Sequence, residues 1–96
     1  MKTFFGSVFI DKDKLLEARI GHIIKLEYYK IIDEENKKYG IRTIKKEYMG
    51  NKTRIEEKTI NYLSNDEQKI EDILNILKRN EVTPVCVEEI ISDLSK

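Results

Sequence analysis

The residues able to do chemistry in this chain are few and widely spaced. His22 is the single histidine and Cys86 the single cysteine among 96 residues. Zinc needs three or four N, S or O ligands at matched spacing, and these two residues with dispersed carboxylates supply no such cluster. A thiol nucleophile with an imidazole base would need the fold to join His22 to Cys86, and nothing in their spacing points that way. Between Val85 and Val87, Cys86 reads as a buried or half-buried small apolar group, and His22 as a strand-entry or surface residue. Glycines at 6, 21, 40 and 50 are too scattered for a phosphate-cradling loop. Asp11-Lys12-Asp13 starts like a calcium loop, but Leu15 and Leu16 stand where a ligand and the glycine belong. Glu34-Glu35, Glu56-Glu57 and Glu88-Glu89 are sequence neighbours, so on a strand or a helix they diverge rather than converge on one proton. Asn51-Lys52-Thr53 matches the glycosylation triplet without a secretory signal to give it meaning. No catalytic residue, metal ligand or cofactor is expected, and the chain reads as a non-enzyme.

Binding is the chemistry left. Residues 37 to 58 hold eight basic and three acidic side chains, whereas residues 66 to 96 hold four basic and eight acidic, and the whole chain is neutral. The simplest expectation is two oppositely charged layers that attract one another. A second reading is a nucleic-acid-binding accessory protein using the basic hairpin 37–54. Lys38, Arg42, Lys45, Lys46, Lys52 and Arg54 would meet phosphates, with Tyr39 and Tyr48 interleaved for stacking. Against it stand Glu47, Glu56 and Glu57 in the same stretch and a net charge of zero. Nucleic acid is therefore the minority partner.

The elements that must position these groups start from residues 64–80. Ile70, Ile73, Leu74 and Leu77 fall at i, i+3, i+4 and i+7, one stripe of a helix. Ser64 with Glu67 has capping-box form, and Asn65 with Gln68 is an equal register. Acid lies at the start, base at the end, and Asn80 is placed as the left-handed residue past the end. Pro84 breaks the chain before a shorter helix carrying Val87, Ile90, Ile91 and Leu94. Thr83 could cap it with Pro84 at the first helical position; the favoured start is Cys86, with 82–85 extended. On that start Cys86→Thr would stabilise by up to about 1 kcal/mol, because a thiol caps poorly.

Upstream, residues 22–33 alternate as a strand, with Ile24, Leu26, Tyr28 and Ile32 on one face and Ile23, Tyr29 and Ile31 on the other. Tyr39 to Met49 is a second strand with Tyr39, Ile41 and Thr43 on one face. Ile44 and Tyr48 break that parity, so the other face is partly apolar or a bulge intervenes. Gly50-Asn51 is a hairpin turn, and Thr53 to Tyr62 is a third strand. Residues 1–21 read as a short strand or extended piece followed by one or two helical turns around Leu15, Leu16 and Ile20.

One small α+β domain spans 1–96: the N-terminal element, a β-meander over 22–63 and two helices over 64–95. The expected architecture is a three-stranded antiparallel meander packed under the two C-terminal helices. Such a sheet leaves a second face uncovered, where Ile23, Tyr29, Ile31, Ile44 and Tyr48 would lie and an apolar surface would mark an interface. A protein-interaction or regulatory module follows, binding another protein or itself, as a homodimer, through that face or an edge strand. The apolar run 4–10 is too short to span a membrane, no membrane partner is expected, and a lone cysteine suits a reducing, cytoplasmic compartment.

Asn80-x-Val82-Thr83-Pro84-Val85, with acidic residues and Ile90-Ile91 after it, resembles the C-terminal signature of a family of small bacterial proteins carrying a domain of unknown function. That family is associated with spore-forming Gram-positive anaerobes. Lys38-Tyr39-Gly40-Ile41 and Ser64-x-Asp66 resemble it too, so the similarity covers residues 22–94. Cys86 departs from it, standing where a hydroxyl residue able to cap the last helix would be expected. The resemblance implies fold class and compartment and carries no activity.

Overall fold

The computed structural model describes residues 2–10, 23–49 and 51–94. Four strands follow one another in space as they do in sequence: β1 (Lys2–Phe9), β2 (Ile23–Asp33), β3 (Lys38–Met49) and β4 (Lys52–Ser64), all antiparallel in one sheet. Helix α1 (Glu67–Arg79), a 3-10 turn (Pro84–Cys86) and helix α2 (Val87–Leu94) complete the described chain. The sheet therefore has four strands rather than three. The apolar N-terminal segment does not fold across the meander; it pairs with β2, from Lys2 opposite Ile31 to Phe9 opposite Lys25. The expected helical turns around Leu15, Leu16 and Ile20 lie outside the described residues.

The alternation along β2 sorts side chains as the sequence predicts. Ile24, Leu26 and Tyr28 are buried on the helix side, level with Thr43 and Ile41 of β3. The stripe Ile70, Ile73, Leu74 and Leu77 of α1 packs with Leu26, Tyr28 and Ile41, joined by Val82 and Val87. Fully burying each such aliphatic side chain is worth about 1.5–3 kcal/mol, so this seam dominates the stability of the domain. Tyr28, fully buried, donates its hydroxyl to the Val82 carbonyl at 2.9 Å and ties the middle of the sheet to the chain leaving α1. Burial, and secondarily the charge of Glu81, pushes the Tyr28 phenol far above its ordinary range, so it stays a hydrogen-bond donor.

The helix ends differ from their expected forms. Asp66 caps α1, accepting from the Gln68 N–H at 3.0 Å, while Ser64 Oγ accepts from the Asp66 N–H; neither expected capping pair is used. At the other end Asn80 is not left-handed; Glu81 is, with φ 52°. The Glu81 N–H reaches the Lys78 carbonyl and the Val82 N–H the Leu77 carbonyl, the paired bonds of a Schellman ending. Placing Val82 one residue beyond the left-handed position buries it beside Leu77, which selects the register. The last α-helix begins at Val87, directly after the favoured cap position, but residues 84–86 before it form a 3-10 turn and are not extended. Thr83 is extended, Pro84 opens a helical turn, and the Cys86 N–H bonds to the Thr83 carbonyl at 3.0 Å. Cys86 is thus inside a turn, exposed and not a cap, which removes the reason for Cys86→Thr to stabilise.

A bulge between Tyr39 and Ile41 brings the backbone of β4 against Gly40. A Cβ there would lie 2.0 Å from the Ile60 carbonyl oxygen, a backbone atom that cannot step aside. Gly40→Ala is expected to lower stability by at least about 2 kcal/mol in urea denaturation, because the strand pair must separate to admit it. Glu81→Gly is expected to act in the opposite direction, raising stability by about 1 kcal/mol as the left-handed strain disappears. A loss on Glu81→Gly would show that the glutamate side chain supports the ending.

Candidate protein-interaction face

The second face of the sheet collects every residue whose parity opposes the core. Lys2, Phe4, Ser7 and Phe9 come from β1; Ile23, Lys25, Glu27, Tyr29 and Ile31 from β2. Arg42, Ile44, Lys46 and Tyr48 come from β3, with Thr53, Ile55, Glu57 and Thr59 from β4. Among the described residues no helix packs on this side. All five residues expected here are present, at different depths. Ile23 and Tyr48 stand opposite each other in register and are 50% and 38% exposed; Tyr29 and Ile31 are half-buried; Ile44 is buried. Ile44 therefore cannot make the direct contact expected of it. It sits between Glu27 and Glu57 in register, in the most crowded part of the sheet. Sequence reading missed Phe4, Phe9 and Ile55, each more than half exposed on the same face. Only the pairing of β1 with β2 brings the two phenylalanines there.

Charge runs across the middle of this face. Lys46 lies 2.9 Å and Lys25 3.6 Å from the Glu27 carboxylate, and Arg42 lies 2.5 Å from that of Glu57. The rings at the periphery carry cations as well: Lys2 is 4.5 Å above Tyr29, itself edge-on to Phe4, and Lys25 is 5.7 Å from the Phe9 ring centre. The result is a mosaic, with apolar residues at both ends and ion pairs between them. Burial pushes the Glu27 carboxyl up, but Lys46 and Lys25 outweigh it and hold it below its ordinary value of 4.5.

The basic hairpin does not form one surface. Lys38, Arg42 and Lys46 belong to this face, while Lys45 and Arg54, and Lys52 at the strand start, have helix-side parity. Four of the six face carboxylates: Arg42 with Glu57, Lys46 with Glu27, Lys45 with Glu47 and Arg54 with Glu56. Lys38 lies 5.3 Å from the centre of the Tyr62 ring. The attraction expected between layers is carried by Lys30 with Glu67 and Glu71 of α1, and by Lys58 with Glu88 of α2.

Other candidate chemistry stays dispersed. Cys86 is exposed, against the expectation of burial, because Val87 and Pro84 take the inward positions of its turn. His22 and the Asp11–Asp13 stretch lie outside the described residues. Among the described residues no group of three or more histidine, cysteine or acidic side chains could hold a metal ion. Open grooves lie among the described residues. One of about 700 Å³ runs along the β2–β3 turn between Asp33, Glu34, Glu35, Lys38 and Tyr62; one of about 560 Å³ lies where Val8 meets Lys78, Arg79 and Glu81. Among the described residues no helix is long and apolar enough to cross a membrane.

Compared with known proteins, the chain matches a family described as "Family of unknown function (DUF6514)" over residues 8–96. The match reaches back beyond the expected boundary at residue 22 and includes the end of β1. No curated protein and no solved structure matches.

A group held below its ordinary pKa adds stability above its unfolded value, lost as pH falls through the folded one. Glu27 behaves this way, and Asp33, held down by its hydrogen bonds to Asn36, acts in the same direction. The urea midpoint is therefore expected to fall as pH drops below about 4.5, and Glu27→Gln should lower the plateau at neutral pH and flatten that acid limb. An unchanged limb would mean that Glu27 is not engaged by its two lysines.

Proposed function

This chain belongs to DUF6514, a family of unknown function, and we propose that it is a binding module, a small cytoplasmic protein that recognises another protein through the helix-free face of its sheet. The observation that carries this reading is the set Phe4, Phe9, Ile23, Tyr48 and Ile55, exposed on one face that no described helix covers. Large apolar side chains gathered on one side of a small domain cost solubility unless a partner covers them. The chemistry of the partner follows from the charges between them. Glu27 with Lys46, and Glu57 with Arg42, are paired within the face, and exposed apolar side chains flank them, a mixture that suits an apolar and polar protein surface.

Nucleic acid remains the second reading and is weaker, since Arg42, Lys45, Lys46 and Arg54 are committed to carboxylates and split between two faces. We assign no catalysis. The grooves gather acids or bases without a nucleophile beside a base, and recognition needs none.

Affinity capture from the native lysate tests the proposal, with the wild type compared to the double variant Ile23→Glu, Tyr48→Glu. A discrete protein retained by the wild type and lost by a variant of unchanged melting temperature is the expected result. Equal retention by both would remove the face from consideration. An affinity for random oligonucleotide that falls steeply with salt and vanishes in Lys45→Glu, Lys46→Glu would transfer the function to the basic hairpin.

A further inference from the structure

We infer that the outer edge of β4, residues 52–58, pairs antiparallel with the same edge of a second copy, about a two-fold axis at Ile55. This contact runs along the backbone edge of the sheet rather than over its helix-free face; Ile55 borders both, and the inference does not depend on what the face binds.

The two edges of the sheet are not equivalent. β1 is short and broken by a bulge between Phe4 and Gly6, which spoils a straight row of backbone donors and acceptors. β4 keeps one unbroken register with β3 from Lys52 opposite Met49 to Ile60 opposite Ile41. Its later part is occupied: the bulge at Gly40 follows, and Lys58 is held by Glu88 at 2.6 Å. Its earlier part is not, with Lys52 to Ile55 all exposed. A regular, exposed strand edge is a template for another strand, and charge normally prevents casual use of it.

Charge also selects the register. Two copies of one strand paired antiparallel must match residues of the same face, so the axis passes through a residue paired with itself. Centring on Glu56 sets Glu56 against itself and Arg54 against Lys58; centring on Glu57, Lys58 or Arg54 also sets a charge against its twin. Centring on Thr53 sets Lys52 against Arg54. Centring on Ile55 sets Arg54 of each copy opposite Glu56 of the other and Thr53 opposite Glu57, and it buries Ile55, 57% exposed, against its own copy. The one like-charge pair left is Lys52 with Lys58, and Lys58 is already answered by Glu88. Glu57 is likewise answered by Arg42. Since Arg54 and Glu56 are 3.3 Å apart in their own strand, the two copies form one alternating four-residue ladder on the helix side. The joined sheet has eight strands with both helix-free faces on the same side.

Sedimentation equilibrium at high chain concentration should give twice the 11.4 kDa chain mass. Arg54→Glu faces Glu56 of the other copy twice and should weaken association about tenfold or more, while Arg54→Glu with Glu56→Arg restores it. Both positions lie at the surface, and an unchanged melting temperature confirms that folding is intact. In a Cys86→Ser background, Ile55→Cys should form a covalent dimer with oxidised glutathione far faster than Thr53→Cys, whose thiols lie off the axis. A monomer at every concentration, a dimer indifferent to Arg54→Glu, or equal cross-linking at 53 and 55 overturns the inference. A dimer abolished by Ile23→Glu, Tyr48→Glu but not by Arg54→Glu also overturns it and places self-association on the face. Loss of partner capture with the β4 dimer intact would remove the face reading alone.

Discussion

The structure depends on one seam, the apolar stripe of α1 laid across Leu26, Tyr28 and Ile41. A chain of this length has enough apolar side chains for a single two-layer core, and α1 supplies one stripe to fill it. Once that stripe is spent on one side of the sheet, no described helix is left for the other. The Schellman ending at Glu81 and the bond from Tyr28 to Val82 belong to the same constraint. They turn the chain so that Val82 and Val87 close the core rather than leave it.

The helix-free face inherits its character from that division. Alternation along four strands delivers to it whatever the core did not take, which includes two phenylalanines, a tyrosine pair and several isoleucines. It also delivers lysines, an arginine and glutamates at diagonal or same-strand positions, where Lys46 and Lys25 meet Glu27 and Arg42 meets Glu57. Such a surface combines apolar ends with an ion-paired polar centre, a composition typical of places where protein meets protein. The same pairing explains why the basic hairpin does not form one surface. Lysines along one strand alternate between faces, and Lys45 and Lys46 each find a glutamate on their own or a neighbouring strand.

The edges complete the picture. A meander whose spatial order equals its sequence order has two edges, and they are protected unequally. β1 carries a bulge near its middle, and the far part of β4 lies against the C-terminal turn. The near part of β4 relies on charge alone, and charge in the pattern Arg54, Ile55, Glu56 is complementary to itself when reversed.

Much of this was legible in the residues. The stripe on α1, the parity of β2 and the break at Pro84 are local consequences of side-chain spacing and proline chemistry, so the sequence by itself determined them; the turn expected at Gly50 lies outside the described residues. Local spacing likewise suffices, within each strand, to set Ile23, Tyr29 and Ile31 apart from the core residues of β2, and Ile44 and Tyr48 apart from those of β3, whereas the register between the strands puts both sets on one face. Tertiary structure alone decided what depends on which strand lies beside which. It recruited Lys2–Phe9 as a fourth strand, exposed Phe4 and Phe9, and buried Ile44. It moved the cap from Ser64 to Asp66 and the left-handed position from Asn80 to Glu81, where local propensities differ by less than the gain from burying Val82. It turned Cys86 outward because Pro84 and Val87 had the stronger claim on the core. Periodicity is written along one strand, whereas pairing, depth and charge compensation are settled between strands, and no single stretch of chain contains them.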